Sequence, residues 1–178
     1  MGNNKNNIIL IGMPGCGKST VGVVLAKVTG YQFIDSDLLI QKKERHLLSE
    51  IIKECGYDGF NRIENEVNTS IETERSVIAT GGSAIYGEEA MLHFRNIGLV
   101  IYIRLPYEEI RDRLGDLVER GISMKEGQSL QELFEERAPL YEKYAHIITD
   151  TQGLTIRESV FFIMEKISSY RKKGEAEI

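Results

Sequence analysis

Residues 12–20 read Gly12-Met13-Pro14-Gly15-Cys16-Gly17-Lys18-Ser19-Thr20, the full spacing G-x-x-x-x-G-K-[ST]. Its glycines free the backbone to turn successive amides inward, which is how a loop wraps a phosphate. A helix opening at Lys18 adds the positive end of its dipole at the same point. The lysine ammonium then reaches the outer phosphates, and the Ser19 hydroxyl can ligate a divalent cation. The pattern has the context it needs. The apolar run Ile8–Ile11 precedes it, and Val21, Val24, Leu25 and Val28 follow at helical spacing until Gly30. The expected cofactors are ATP and Mg²⁺, with Gly12, Gly15, Cys16, Gly17, Lys18, Ser19 and Thr20 around the phosphates. Cys16 serves here as a small filler whose backbone amide matters more than its thiol.

A phosphate loop does not by itself separate a kinase from an ATPase or GTPase. Phe33-Ile34-Asp35-Ser36-Asp37 sets two carboxylates just past the end of a short apolar stretch. In open parallel sheets, ligands bind at that end of the strands. Asp35 is expected to face the metal beside Ser19. Asp37 is expected to face an acceptor hydroxyl as hydrogen-bond acceptor or base. The plainer alternative is that Ser36 or Asp37 only caps the next helix.

The elements that must position these groups alternate short apolar runs with longer amphipathic ones. Strands are expected at Ile8–Ile11, Gln32–Ile34, Val77–Ala79, Leu99–Ile103 and His146–Ile148. Helical spacing covers Lys18–Lys27, Leu47–Glu54, Phe60–Glu74, Glu88–Arg95, Tyr107–Leu117, Leu130–Tyr141 and Thr155–Tyr170. Continuous apolar strands separated by helices give an α/β fold, a parallel sheet covered on both faces. At 178 residues the chain reads as one domain, 1–178. Its polar segment 119–128 has the composition of a mobile lid, and its charged tail, 171–178, that of a frayed end.

Other function classes fit poorly. The net charge of −5 argues against a general nucleic-acid binder. The two cysteines form no disulfide framework, and His46, His93 and His146 lack ligand spacing. Glu132, Glu135 and Glu136 read as a solvated helix face. No apolar run is long enough for a membrane span. The expected partner is therefore a small-molecule hydroxyl acceptor, with no nucleic acid and no membrane, for a cytoplasmic monomer.

From Ile8 to about Ile167 the chain resembles the shikimate kinases. The likeness rests on the phosphate loop, Val21-Gly22, Leu25-Ala26 and Phe33-Ile34-Asp35-Ser36-Asp37. It continues through Gly56 with Phe60 and Glu64, then Ala79-Thr80-Gly81-Gly82, and ends on Arg137-Ala138-Pro139-Leu140-Tyr141. The resemblance implies the P-loop NTPase fold: a five-stranded parallel sheet in the order 2-3-1-4-5, flanked by helices. It also implies a substrate-binding helical segment at about 37–64 and a lid at about 119–128. By the same carry-over Asp37 contacts the ring hydroxyls and Arg137 holds the substrate carboxylate. Gly81 and Gly82 bring backbone amides to the acceptor. Arg120 reaches the transferred phosphate from the lid, and Arg113 lies beside the adenine. Lys18, Asp37 and Arg120 would form the catalytic set.

Four departures fall on the acceptor side. The family pattern G-E-x-x-F-R-x-x-E is Gly56-Tyr57-Asp58-Gly59-Phe60-Asn61-Arg62-Ile63-Glu64 here. The third glycine after Ala79-Thr80 is Ser83, and the lid motif R-P-L-L is Arg120-Gly121-Ile122-Ser123. Asn61 thus replaces one member of a two-arginine clamp on the substrate carboxylate. Losing such a charge-assisted contact costs about 2–4 kcal/mol. Arg62 sits one residue, about 100°, around a helix from that position. The expected acceptor is shikimate or a close polyhydroxylated relative, with Asn61 and Ser83 at its site. A kinase for another polyol or sugar acid, or a nucleotide-binding regulator without turnover, remains open.

Overall fold

The computed structural model of the chain describes residues 6–115 and 122–176. Five strands form one parallel sheet: β1 (Asn7–Ile11), β2 (Gln32–Asp35), β3 (Ser76–Ala79), β4 (Gly98–Arg104) and β5 (Ile147–Asp150). Their order is β2-β3-β1-β4-β5, as the resemblance implied. Strand β1 is central because every residue in it is buried, with Ile9 paired to Ile78 on one side and Val100 on the other. Its first residue staples the sheet's lower end. Asn7 Nδ2 donates to the carbonyls of Thr73 and Ile97, and Asn7 Oδ1 accepts from the Ser76 amide.

The helices are α1 (Lys18–Thr29), α2 (Ser36–Glu44), α3 (Leu48–Thr69), α4 (Glu88–Ile97), α5 (Tyr107–Leu114), α6 (Leu130–Tyr144) and α7 (Ile156–Ala176). Ala84–Tyr86 forms a short 3₁₀ turn. Val21, Leu25 and Ala26 of α1 bury against the sheet, so the phosphate loop is fixed at both ends. A second, smaller core joins Ile40 of α2 to Ile51, Phe60 and Val67 of α3. It seats α3 beside the carboxyl ends of β2 and β3.

Sequence spacing and structure differ at three places. The two helical stretches expected on either side of Gly56 are one element, kinked at Gly56 (φ 70°, ψ −179°), a conformation in which glycine carries no Cβ penalty. Helix α2 lacks an obvious apolar period, having only Ser36 and Ile40 buried. Its cap is Asp35, whose Oδ1 accepts from the Asp37 amide at 3.0 Å, so neither Ser36 nor Asp37 is spent on capping. The tail expected to fray from Arg171 instead continues α7 as far as Ala176. Arg171, Lys172 and Lys173 are good helix formers that extend an already packed helix.

Candidate active site

The parallel arrangement delivers the carboxyl ends of β1, β2 and β3 to one edge. After β1 the loop 12–17 closes into α1, with Gly17 in the left-handed region at φ 99°. After β3, the Thr80 amide and hydroxyl both bond the Leu10 carbonyl, at 3.2 and 3.0 Å. That cross-link holds Gly81 and Gly82 opposite the phosphate loop. Between them lies a cavity of about 380 Å³. Lys18, Ser19 and Thr20 line one end; Asp37, Gly81, Gly82, Ser83 and Arg137 line the other.

Lys18 is buried to 7% exposure and donates to the Gly12 and Met13 carbonyls at 2.8 and 2.9 Å. The loop's own carbonyls therefore aim the ammonium across the phosphate site. Ser19 Oγ donates to Asp35 Oδ2 at 2.8 Å. A hydroxyl and a carboxylate this close suit Mg²⁺, which takes one or two protein oxygens and draws the rest from phosphates and water. Among the described residues no group of three His, Cys, Asp or Glu could hold a metal alone. A second cavity of about 330 Å³ opens on the loop's far side, bounded by Cys16, Thr20, Arg113 and Thr151. Arg113 Nη1 bonds the Gly15 carbonyl at 3.4 Å, so the arginine assigned to the nucleotide base does border the loop. Arg120 lies outside the described residues.

The acceptor end holds two converging carboxyls. A Cβ built on Gly81 would collide with Glu64 Oε1 and stand 2.8 Å from Asp37 Oδ1, so a larger residue there would push the two carboxyls aside. Its amide donates to Ser36 Oγ at 3.2 Å. Burial, and then the nearby Asp35 charge, push the Asp37 carboxyl up to about 6 against the opposing pull of Lys18. Glu64 is pushed up to about 7 by burial first and the Asp37 charge second. Its Oε2 accepts from Ser83 Oγ, while its buried Oε1 has no partner. The Phe60–Glu64 spacing, one helical turn in α3, was the available clue to this carboxyl, which the site residues read from sequence did not include.

Arg137 is 1% exposed and stands over the Tyr86 ring, 5.3 Å from its centroid. Its Nε donates to the Tyr86 hydroxyl at 3.3 Å, and its Nη2 donates to the Ser123 carbonyl. Tyr141, four residues on, bonds the Gly82 carbonyl at 2.6 Å and ties α6 to the glycine turn.

Matches to known proteins follow this geometry. The family model "Shikimate kinase" covers residues 14–168. A shikimate kinase of Clostridium botulinum (strain Eklund 17B) is 39% identical over 157 residues, 88% of this chain and 93% of that one. The chain belongs to the shikimate kinase family. A shikimate kinase of Thermodesulfovibrio yellowstonii is 37% identical over 164 residues, 90% of this chain and 92% of its own. The solved shikimate kinase from Acinetobacter baumannii in complex with shikimate superposes with a TM-score of 0.84 at 32% identity, covering 94% of this chain and 95% of that chain. A small-molecule kinase that transfers phosphate to a hydroxyl is the activity this membership carries.

The departures from the family pattern have definite places. Asn61 is not in the cavity wall; its Oδ1 accepts from Ser123 Oγ at 3.2 Å. Arg62 is exposed, with Nη2 3.9 Å from where a Cβ would stand on Gly59, and it is not among the residues that line the cavity. Tyr57 meets Tyr86 edge to face at 5.9 Å, with the Lys125 ammonium 5.9 Å from its own ring centroid. Gly121 lies outside the described residues, whereas Ile122 and Ser123 of the expected lid line the cavity. Among the described residues, no helix is long and apolar enough to cross a membrane.

Proposed function

We propose that this chain transfers the γ-phosphate of ATP to a hydroxyl of shikimate. The observation that carries the reading is the single cavity whose wall holds the phosphate loop at one end and Asp37, Gly81 and Arg137 at the other. Such a cavity lets donor phosphate and acceptor hydroxyl meet in line with water excluded. Lys18 neutralises charge on the phosphate oxygens as the bond to the leaving group breaks. Ser19 and Asp35 would hold Mg²⁺, which supplies further charge neutralisation when bound with the nucleotide. A carboxyl at about 6 is mostly ionised at pH 7 yet still basic enough to take a proton, which suits Asp37 as base for the acceptor hydroxyl. Arg137 supplies the positive charge for the acceptor carboxylate, and the Gly82 and Ser83 turn shapes the wall beside it. Arg113 would border the base of the nucleotide, and the role the family pattern gives Arg120 is contact with the transferred phosphate.

The neutral Asn61 favours a second reading, an acceptor without a carboxylate. A coupled ADP-release assay over shikimate, quinate and a panel of polyols and sugar acids separates the two. Shikimate giving the highest kcat/KM supports the proposal. A neutral polyol outperforming it by tenfold or more would transfer the proposal to that compound. Silence across the panel would overturn the enzymatic reading.

A further inference from the structure

Ser123 is 4% exposed although it lies on a segment without regular secondary structure. Its buried position is explained by two bonds in opposite directions. Its hydroxyl donates to Asn61 Oδ1 at 3.2 Å, and its carbonyl accepts from Arg137 Nη2. Both Asn61 and Ser123 are positions where this chain departs from its family pattern, and here they meet. Neither partner would suit the pattern's own residue. An arginine at 61 offers no acceptor for the serine hydroxyl, and a leucine at 123 offers no donor to the asparagine.

The consequence falls on Arg137. Its guanidinium can present a two-pronged edge to a carboxylate only if that edge is free. Here Nε is engaged by the Tyr86 hydroxyl and Nη2 by the Ser123 carbonyl. The remaining terminal nitrogen, Nη1, is the one beside Gly82, 3.0 Å from where a Cβ would stand on that cavity-lining glycine. The neighbouring residues hold the segment in this place. Lys125 Nζ and Gln128 Nε2 each bond Glu136 Oε2 at 2.9 Å, on the residue preceding Arg137.

We propose that Ser123 is a specificity-determining positioning residue. By bridging Asn61 and Arg137 it occupies the Nε/Nη2 edge of the one arginine at this end of the cavity and turns the edge that carries Nη1 to the acceptor. The inference rests on the acceptor reading above for its kinetic consequence, but the bridge itself is open to test without any acceptor.

The test is a double-mutant cycle over Ser123→Ala, Asn61→Ala and the pair, with Ser123→Thr as the variant that keeps the hydroxyl. One hydrogen bond of about 0.5–1.5 kcal/mol converts to roughly a 2- to 10-fold effect. Each alanine variant should raise the acceptor KM by that factor while ATP KM and kcat move less than about twofold. The double variant should be no worse than either single, because both remove the same bond. Ser123→Thr should stay within about twofold of wild type. Hydrogen exchange of residues 122–128 in the ligand-free protein should accelerate by the same factor in both alanine variants and not in Ser123→Thr. Unchanged exchange in both alanine variants, or effects that multiply in the pair, would overturn the bridge. If wild type ignores shikimate while exchange responds as stated, the acceptor reading fails and the bridge stands. If shikimate is used well and the cycle is additive, the bridge fails alone.

Discussion

Replacing Glu64 with glutamine puts the electrostatics of the acceptor pocket to a quantitative test. Glu64 is 1% exposed, and its carboxyl is raised from 4.5 to about 7. A carboxyl that ionises near 7 in the fold but near 4.5 when unfolded contributes its stability fully below 4.5 and loses it as pH rises through 7. Each tenfold shift in the ionisation equilibrium is about 1.4 kcal/mol, so the full loss is about 3 kcal/mol. Glutamine preserves the shape and can still accept from Ser83 Oγ. Its amide nitrogen takes the place of the unpartnered Oε1 and can donate toward Asp37 Oδ1. At pH 5 wild type and Glu64→Gln should therefore differ little. At pH 8.5 the variant should be more stable by about 2–3 kcal/mol, the wild type carrying the cost of a buried charge. Urea denaturation followed by circular dichroism at both pH values measures this, provided that the m-values agree. A stability difference that is the same at pH 5 and pH 8.5 would refute the reasoning, since an ionisation cost must follow pH.

Three further outcomes are expected. Lys18→Ala should lower kcat by at least about 10²-fold while nucleotide binding, measured by calorimetry, persists through the loop amides; retention of most turnover would exclude Lys18 from phosphate stabilisation. Asp37→Asn should lower kcat by about 10²- to 10⁴-fold with ATP KM little changed, and wild-type kcat should decline as pH falls through about 6 and protonates the base. A rise in ATP KM with kcat intact would move Asp37 to the nucleotide or metal site. Asn61→Arg restores a cation one helical turn from Glu64, at i and i+3, and should raise shikimate kcat/KM by about 10-fold. No gain would mean that carboxylate recognition does not pass through position 61.

The nucleotide half of the site was legible because its chemistry is local. Nine consecutive residues carry the loop, the lysine and the serine that bonds Asp35, and backbone conformation does most of the positioning. Asp35 and Asp37 were legible for a related reason, since a strand end in a parallel sheet faces the ligand edge wherever it occurs. The acceptor half is assembled from the start of α2, α3, the turn after β3, the segment before α6 and α6 itself. Glu64 stands against Gly81 only because the kink at Gly56 and the core at Ile40, Ile51, Phe60 and Val67 set the angle of α3. No spacing along the chain encodes that angle. Ser123 is further from legibility still, because its partners lie 62 residues before it and 14 after it, and its surroundings have no period.

Taken singly, each departure from the family pattern reads as a loss. Their arrangement in space is closer to an exchange. With asparagine at 61, Glu64 has no arginine at i−3, and only the Arg137 and Lys18 charges oppose the cost of its burial. One of its oxygens is nevertheless bonded, and the donor is the hydroxyl of Ser83, which a glycine at that position could not supply. The asparagine that took the arginine's place has its own oxygen bonded by Ser123, where the pattern's leucine could not donate. Beside the pocket asparagine stands where the pattern has arginine, and hydroxyls stand at 83 and 123. The remaining cation, Arg137, stays buried and tied down on two of its three nitrogens. The three substitutions at 61, 83 and 123 are thus linked in space by hydrogen bonds to Glu64 and Arg137, beside a cavity whose lining cations are Lys18 and Arg137.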